Sequence, residues 1–316
     1  MIAAKPYAQK PTRDGFGEGI IELARRDPNV VVLDADVAKS TRTEWFKKIF
    51  PERFFDMGIS EQDLLGTAAG LALGGKIPFV TTYGVFVTGR AWDQIRNSIC
   101  YPEMNVKIGG AHGGITVGPD GATHQALEEI ALMRVLPNMK VIVPCDAIET
   151  YKAILTAAET PGPVFIRFGR EAVPTITTPE TPFRLGKAEV FREGGDLSIV
   201  ACGLMVHAAL EAAEILAEKG IQARVINLHT IKPIDVETLV KAAEETKFIL
   251  TVEEHQVIGG LGSAVAEVLG EHIPTPMKRV GILDTFGESG DSEELLRKYG
   301  LHPETIAQAA LELLKR

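Results

Sequence analysis

The feature that most limits the fold of this chain is a repeated alternation between short apolar runs and amphipathic segments. The apolar runs, such as residues 30–33 and 141–143, contain no polar residue. Uninterrupted runs of this kind are typical of strands that are buried on both faces, as in parallel sheets. The segments between them, such as residues 16–25, have the spacing of amphipathic helices. We therefore predict an α/β fold of the doubly wound type with a mainly parallel sheet, in which a turn at Gly84 precedes one helix over residues 90–99.

The alternation occurs twice, and a stretch rich in proline and threonine separates the two parts. Residues 172–183 contain three prolines and four threonines and have no helical period. A chain of 316 residues is long enough for two domains. We predict a first domain over residues 1–174, an extended linker over 175–184 and a second, smaller doubly wound domain over 185–316.

Composition excludes several classes of protein. The formal net charge of −9 argues against a broad nucleic-acid surface. No apolar run approaches the length of a bilayer span, and the first residues lack the apolar core of a signal peptide. The three cysteines are scattered without a C-x-x-C pair, which argues against disulfides and against a zinc site. We expect a cytoplasmic protein with no metal ligands of its own.

Residues 54–75 contain a candidate working carboxylate at a helix start. The pattern predicts a short strand, a turn through Gly58 and an apolar helix that begins near Glu61. Ser60 is placed to cap this helix, with Asp63 completing a capping box. Glu61 falls in the first turn, where free N–H groups and the helix dipole favour a negative charge. Spacing alone leaves two readings open, a helix-start acid or a functional group.

A second candidate is the glycine-rich segment over residues 109–125, between a predicted strand and a predicted helix. It holds six glycines, two histidines and one aspartate in seventeen positions. Glycine permits positive φ and close approach of the backbone to a ligand, at an entropic cost. A loop that is so costly to order commonly binds something. We predict a binding loop here, with Thr123 as the cap of the following helix.

Taken together, these segments resemble the C-terminal half of transketolase, the thiamine-diphosphate enzyme that transfers two-carbon ketol units between sugar phosphates. The similar segments are GISEQ (58–62), TYGVFVTGRAWDQIR (82–96), GAHGGITVGPDGATHQALEEIALMR (110–134), RFGREAVP (167–174) and EEH…GGLG (253–262). The resemblance covers nearly the whole chain. It implies that the first domain is a pyrimidine-binding domain and the second a transketolase C-terminal domain.

One motif of the family is absent from this chain. Transketolases hold the diphosphate and Mg²⁺ through a GDG motif with a downstream Asn, and here Gly195-Asp196 is followed by Leu197. The resemblance therefore implies one half of a split transketolase, acting in the pentose phosphate pathway. An N-terminal partner subunit would supply the diphosphate and metal site. We expect a heterotetramer in which two copies of this chain pair as a dimer, and no activity from the chain alone.

The resemblance assigns cofactor contacts to three residues. Glu61 matches the catalytic glutamate that bonds N1′ of the aminopyrimidine and so assists loss of the proton from thiazolium C2. Phe86 and Tyr83 match aromatic positions that pack against the pyrimidine ring, an arrangement consistent with offset stacking.

The resemblance also assigns substrate contacts. His112 and His124 match the loop histidines that contact substrate oxygens and assist proton transfer, and Asp120 matches the aspartate that bonds the donor hydroxyl. The residues that match the grip on the terminal phosphate are Arg13, Ser40 and Arg170. Arginine suits this task because its guanidinium can bond phosphate oxygens bidentately. The residues left as structural are Arg90, Cys145 and His255.

Three other functions stay open at the level of sequence. The β subunit of a 2-oxoacid dehydrogenase has similar domains and an equivalent glutamate, and would transfer acyl groups to a lipoyl carrier. Deoxyxylulose-phosphate synthase shares the DGxTHQ core but is usually one continuous chain. A non-catalytic scaffold subunit is the third, and the joint presence of Glu61, His112, Asp120 and His124 argues against it.

Overall fold

A computed structural model describes residues 5–315. They form two α/β domains, so the predicted fold class is confirmed. Residues 1–4 of the predicted first domain and residue 316 of the second lie outside the described residues. Within residues 5–315, no helix is both long and apolar enough to cross a membrane.

Fourteen strands form three sheets in the described part of the chain. They are β1 (Gln9–Pro11), β2 (Val30–Asp34), β3 (Phe54–Asp56), β4 (Ile77–Tyr83), β5 (Lys107–Ala111), β6 (Lys140–Ile142), β7 (Val164–Phe168), β8 (Ala172–Pro174), β9 (Glu189–Arg192), β10 (Leu197–Ala201), β11 (Ala223–Asn227), β12 (Thr230–Lys232), β13 (Ile249–Gln256) and β14 (Met277–Ile282).

Thirteen α-helices accompany them between residues 5 and 315. They are α1 (Thr12–Arg26), α2 (Ala38–Thr41), α3 (Thr43–Ile49), α4 (Glu61–Leu73), α5 (Gly84–Arg90), α6 (Trp92–Gln94), α7 (Glu129–Arg134), α8 (Ala147–Glu159), α9 (Met205–Ala217), α10 (Val236–Thr246), α11 (Leu261–His272), α12 (Ser292–Lys298) and α13 (Pro303–Leu313). The shorter helical turns are the 3₁₀ turns Pro51–Arg53 and Ile115–Asp120 and the π-helical turn Ile95–Cys100.

The larger sheet has the strand order β12-β6-β7-β5-β4-β2-β3. All of its strands except β12 run parallel. Their carboxyl ends therefore meet at one edge, where open α/β sheets bind ligands. The edge strand β12 belongs to the second half of the sequence and pairs antiparallel with β6. The sequence pattern did not predict that a strand from the second half would join this sheet, because a strand of three residues is too short to show a periodic pattern.

The smaller sheet has the order β14-β13-β10-β11-β9, with β9 antiparallel to its neighbour and the other strands parallel. Its carboxyl edge faces the first domain. One apolar cluster joins the two sheets, since it contains Leu33 and Val141 of the larger sheet and Val200 and Ile226 of the smaller one. The two domains thus share a continuous core.

Helix α1 packs closely against α8 on one face of the larger sheet. The approach depends on Gly15, because a Cβ there would lie 2.0 Å from the carbonyl oxygen of Ala147. This contact fixes the start of α1, and with it the position of Arg13, beside the carboxyl edge of the sheet.

The predicted turn at Gly84 and the single helix over residues 90–99 are corrected by the structure. Gly84 is the first residue of α5, and helical structure then continues through α6 into the π-helical turn Ile95–Cys100. The chain departs from helical geometry at Ala91, where φ is −110° and ψ is 19°. Helix α5 ends at Arg90, directly before this break.

The proline-rich segment after β8 contains no helix, as its composition predicts, but it is packed against the domains. Ile176 is fully buried, and Thr177 donates from its backbone N–H and its hydroxyl to the carboxylate of Asp146. The ring of Phe183 stacks on the buried His229 at 4.3 Å between ring centroids. These contacts fix the path of the segment across both domains.

Candidate active site

Glu61 is the first residue of α4, where the sequence pattern placed it, but the predicted cap is absent. The Ser60 side chain makes no capping hydrogen bond, and its ψ of 66° lies outside the extended range that a capping residue normally adopts. Asp63 is exposed and completes no capping box. The Glu61 side chain is only 2% exposed. It is a buried carboxylate, which normally requires a charged or hydrogen-bonding partner.

That partner is Arg90, which the sequence reading left as structural. Nη1 of Arg90 donates to Oε2 of Glu61 at 2.8 Å. The same guanidinium lies over the ring of Phe86, with its Cζ 4.8 Å from the ring centroid. The Arg90 side chain is 49% exposed, so the pair joins a buried anion to a cation at the surface of the cleft.

Phe86 belongs to a cluster of rings that lies between the Glu61–Arg90 pair and the glycine-rich loop. The Phe86 ring centroid lies 5.2 Å from that of His124 and 6.0 Å from that of Tyr83. Tyr83 lies 4.3 Å from His112. The structure therefore brings both predicted aromatic residues and both predicted histidines together in one cluster of contacting rings.

Hydrogen bonds to the second domain hold the glycine-rich loop in place. Glu254, in β13, accepts hydrogen bonds from the backbone N–H and the hydroxyl of Thr116 at 2.8 and 2.7 Å. Gly114 has a φ of +93°, and a Cβ there would lie 2.1 Å from the Glu254 carboxyl carbon. Only glycine satisfies both the backbone conformation and this close approach.

Thr123 does not cap the helix that follows the loop, contrary to the prediction. Helix α7 begins only at Glu129, and the Thr123 hydroxyl instead lies 2.9 Å from Nδ1 of His124. The loop is longer than the pattern indicated, and Thr123 orients the imidazole of its neighbour. His124, one of the two histidines in the ring cluster, is partly exposed.

His112 is held in a strained and buried position. Its φ is 57°, it is only 2% exposed, and its Nδ1 has no hydrogen-bond partner among the residues that the structure describes. Burial, followed by the charges of Arg13, Arg170 and Arg42, lowers the pKa of His112 to about 3. The imidazole is therefore neutral at physiological pH.

Cationic side chains line a concave site of about 350 Å³ next to His112. The cations are Arg13, Lys39, Arg42 and Arg170, and the site is also lined by Ser40, Tyr83, His112 and Asp120. All three residues that were predicted to hold a phosphate are in this set. Lys39 and Arg42 were not predicted, because the family resemblance carries no motif for them.

Within residues 5–315, two of these cations have acidic partners and Arg13 has none. Nε of Arg42 lies 2.7 Å from Oδ1 of Asp14, and Nη1 of Arg170 lies 3.2 Å from Oδ1 of Asp120. Nη1 of Arg13 donates to the backbone carbonyl of Ser40 at 2.9 Å, while its buried Nε has no hydrogen-bond partner in the described part of the chain. Burial and then Arg42 lower the pKa of Arg13. An anion bound here would relieve the repulsion between these cations.

A buried aspartate shapes the loop that presents Ser40. Asp34, at the end of β2, accepts from the backbone N–H of Val37 at 2.6 Å and from the hydroxyls of Thr41 and Thr43 at 2.9 and 2.8 Å. Burial outweighs these hydrogen bonds and raises the pKa of Asp34 to about 6. The conformation of the loop thus depends on a group that titrates close to neutral pH.

Within residues 5–315, no group of three or more His, Cys, Asp or Glu side chains is arranged to hold a metal ion. An aminopyrimidine, by contrast, fits the Glu61 end of the cleft. Glu61 offers a buried carboxylate for a ring nitrogen, and Phe86 offers a flat aromatic face 4.8 Å from the cation that now covers it. A planar heterocycle with hydrogen-bonding nitrogens requires both features.

Comparison with known proteins agrees with this geometry. The family description "Transketolase, pyrimidine binding domain" matches residues 8–175, and "Transketolase, C-terminal domain" matches residues 186–306. Together they cover more than half of the chain. The chain belongs to the transketolase family, whose members depend on thiamine diphosphate.

Its relatives include proteins of nearly the same length. A putative transketolase C-terminal section from Methanocaldococcus jannaschii is 48% identical, with 97% of each chain covered. A 6-deoxy-6-sulfo-D-fructose transketolase subunit from Clostridium sp. is 42% identical, covering 96% of this chain and 94% of the relative. A solved structure described as "Split gene transketolase, inactive beta4 tetramer" is 52% identical with a TM-score of 0.91, covering 96% of this chain and 98% of that one. The resemblance to a subunit of a split transketolase is confirmed.

Proposed function

We propose that this chain is the C-terminal subunit of a split transketolase that transfers two-carbon ketol units between sugar phosphates, as in the pentose phosphate pathway. The observation that carries the proposal is a chain of contacts that starts at the buried Glu61 carboxylate, passes through Arg90 and the Phe86 ring to His124, and reaches the cationic site through Tyr83 and His112. When bound, thiamine diphosphate supplies the carbon nucleophile and the electron sink for ketol transfer.

Glu61 has the position of a proton-sharing group. Its carboxyl is withdrawn from water, and it stands in the first turn of α4, where the helix dipole favours a negative charge. A carboxyl in this position can share a proton with a ring nitrogen of the aminopyrimidine. Phe86 and Tyr83 hold the ring by stacking. The role of Glu61 is to hold that proton at N1′.

The two histidines divide the substrate contacts between them. His124 is partly exposed to the cleft, and its Nδ1 is occupied by the Thr123 hydroxyl. That leaves Nε2 to exchange a proton with a substrate oxygen. His112 is neutral and buried, so it acts as a hydrogen-bonding group rather than as a charged acid. Asp120, next to Arg170, is available to accept a hydrogen bond from the donor hydroxyl.

The cationic site determines which end of the sugar is recognised. A phosphate monoester carries a charge of about −1.5 to −2 at neutral pH. Arg13, with an unpartnered Nε and no acidic partner in the described residues, is positioned to bind it most directly. One relative is named as a 6-deoxy-6-sulfo-D-fructose transketolase subunit, so its sugar carries a sulfonate as the terminal anion. A dianionic phosphate suits the cations of this chain better than a monoanionic sulfonate.

The diphosphate and Mg²⁺ belong on a partner. No GDG motif is present in the sequence, and no metal cluster occurs in the described residues. An N-terminal subunit carrying GDG and the downstream Asn would complete the site in a cytoplasmic heterotetramer. The relative described as an inactive beta4 tetramer supports an inactive isolated subunit.

Reconstitution tests the proposal. The chain is mixed with the product of a neighbouring gene that encodes the GDG motif, together with Mg²⁺ and thiamine diphosphate, and ketol transfer from xylulose 5-phosphate is measured. We expect turnover by the mixture and none by either subunit alone. Acylation of a lipoyl carrier from a 2-oxoacid would instead support the dehydrogenase reading. Formation of deoxyxylulose 5-phosphate from pyruvate would support the synthase.

Single substitutions in the same assay test the anion site. Arg13→Gln removes a charged donor that has no acidic partner between residues 5 and 315, and Arg42→Gln removes one that is paired to Asp14. A hydrogen bond to a charged group contributes about 1.5–3 kcal/mol, so Arg13→Gln should raise KM for xylulose 5-phosphate by about ten- to a hundredfold with little change in kcat. Arg42→Gln should have a smaller effect. Equal KM values for Arg13→Gln and the unmodified subunit would remove Arg13 from the phosphate site.

A further inference from the structure

Arg90 makes two contacts that together are unusual for an arginine at the edge of a cleft. One nitrogen of its guanidinium bonds the buried carboxylate of Glu61 at 2.8 Å. The flat face of the same group covers the ring of Phe86, with 4.8 Å between Cζ and the centroid. A planar, hydrogen-bonding cation thus lies between the carboxylate and the aromatic face.

These are the two contacts that the proposed function assigns to the aminopyrimidine ring. A flat heterocycle cannot stack on Phe86 while the guanidinium covers that face. Glu61 has almost no free surface while Arg90 is in place, since it is 2% exposed. The guanidinium and the heterocycle therefore compete for one position.

The local structure allows Arg90 to leave without a change of fold. Its backbone carbonyl accepts a hydrogen bond from Nε2 of Gln62 at 3.3 Å, which ties the end of α5 to the first turn of α4. The side chain is 49% exposed. Its bond to Glu61 is the one hydrogen bond recorded for its guanidinium in the described residues. Rotation about side-chain bonds can therefore release it while the backbone stays fixed.

We propose that Arg90 is a placeholder for the coenzyme ring, a statement that rests on the proposed function of Glu61. In the free subunit it neutralises a buried carboxylate that would be costly to leave unpaired. Arrival of the aminopyrimidine displaces it from Glu61 and Phe86. The free subunit is thereby stabilised at the expense of coenzyme affinity.

Titration of thiamine into the full-length chain, followed by calorimetry or saturation-transfer NMR, tests this directly. Thiamine carries the aminopyrimidine and needs no diphosphate site. Arg90→Ala should bind thiamine about tenfold more tightly than the unmodified chain, which corresponds to loss of a competing pair worth about 1.4 kcal/mol. Arg90→Gln, which keeps most of the side-chain volume, should act in the same direction. The matched control is Arg96→Ala, because Arg96 is exposed on the same segment, and it should bind as the unmodified chain does.

Thiamine binding by Arg90→Ala and Arg90→Gln that is no tighter than that of the unmodified chain would overturn the proposal. Weaker binding would make Arg90 part of the coenzyme site instead. The titration contains no sugar, so failure of the ketol-transfer proposal alone would leave the predicted difference intact.

A thermal-melting cycle provides a second test that involves no coenzyme. Arg90→Gln should lower the melting temperature of the unmodified chain, because it leaves the Glu61 carboxylate unpaired. In the Glu61→Gln background the same substitution should lower the melting temperature by less, since only the contact with Phe86 is lost and there is no charge left to neutralise. Equal losses in both backgrounds would show that Arg90 does not hold Glu61 in solution, and would overturn the proposal.

Discussion

The two domains are both α/β folds, yet the side chains at the carboxyl edges of their sheets differ in exposure and in hydrogen-bond partners. In the larger sheet, side chains at this edge line an open cleft, and Arg13, Ser40 and Arg170 remain partly exposed. In the smaller sheet, the corresponding edge carries Glu253 and Glu254, both buried against neighbouring backbone. At the first edge, Nε of Arg13 and Nδ1 of His112 are buried without a hydrogen-bond partner among residues 5–315, whereas Glu253 and Glu254 at the second edge are hydrogen-bonded within the protein.

The partners of the buried acids explain this difference. Glu253 accepts from the backbone N–H groups of Leu261 and Gly262 at 2.6 and 2.8 Å, so it closes the start of α11. Glu254 accepts from Thr116 and lies beside the buried Arg167. The second domain therefore uses its carboxyl edge to support the glycine-rich loop of the first. The carboxyl edge is the proposed binding edge in the first domain and a supporting edge in the second.

The largest expected effect lies at the open edge. Glu61→Gln should reduce kcat of the reconstituted enzyme by about 10²–10⁴, the usual contribution of a positioned proton-transfer group, while the melting temperature stays at or above that of the unmodified chain. The matched control is Asp63→Asn, an exposed acid in the same helical turn, which should retain full activity. Activity assays and melting curves on the same preparations measure both quantities. Full activity in Glu61→Gln would remove it from the mechanism.

At the supporting edge of the smaller sheet, we expect a substitution to lower the stability of the fold. Glu254→Ala removes the carboxylate that accepts two hydrogen bonds from Thr116 and that lies beside the buried Arg167. It should therefore lower the free energy of unfolding by about 2–4 kcal/mol. Denaturant unfolding of the full chain measures this. The control is Glu244→Ala, an exposed acid on α10, with an expected change within about 0.5 kcal/mol. A stability of Glu254→Ala equal to that of this control would contradict the supporting role.

A smaller effect, visible only as a pH dependence, is expected at Asp34. In the unfolded chain its carboxyl ionises near the ordinary value of 3.8, and in the fold burial raises the pKa to about 6. Between these values the folded state keeps a proton that the unfolded state has lost. The contribution of Asp34 to stability therefore falls as pH rises from about 4 to 6, by at most about 3 kcal/mol, and is constant above that.

Asp34→Asn should remove this dependence. The unfolding free energy of the variant, relative to the unmodified chain, should rise across the same pH range, because the variant has no carboxyl to ionise. Denaturant unfolding at pH 4, 5, 6 and 7 measures the difference. A constant difference across the series would show that Asp34 has an ordinary pKa in the fold.

The sequence predicts what is local and fails where distant residues meet. The apolar runs placed the buried strands to within a few residues, and the helix start at Glu61 followed from its own neighbourhood. The pair of Glu61 with Arg90 could not be read in this way, since the residues lie 29 positions apart on different helices. The bond between Thr116 and Glu254 spans 138 positions. Such pairs depend on how the elements pack, which periodicity does not encode.

The candidate site shows the same division. The family motifs select the rings and histidines of the cleft, and the structure adds Lys39 and Arg42 to the cations that line it. The low pKa of His112 likewise depends on burial and on Arg13, Arg170 and Arg42, which converge only in the fold. Residue types and spacing therefore indicate the kind of chemistry, while the protonation states require the three-dimensional arrangement.

The most direct test of the whole account is a crystal structure of this subunit assembled with its diphosphate-binding partner in the presence of Mg²⁺ and thiamine diphosphate. We predict the Glu61 carboxyl within hydrogen-bonding distance of N1′ of the aminopyrimidine, the Phe86 ring against the heterocycle, and the Arg90 guanidinium turned away from both. A coenzyme ring bound elsewhere, with the bond between Glu61 and Arg90 still intact, would contradict it.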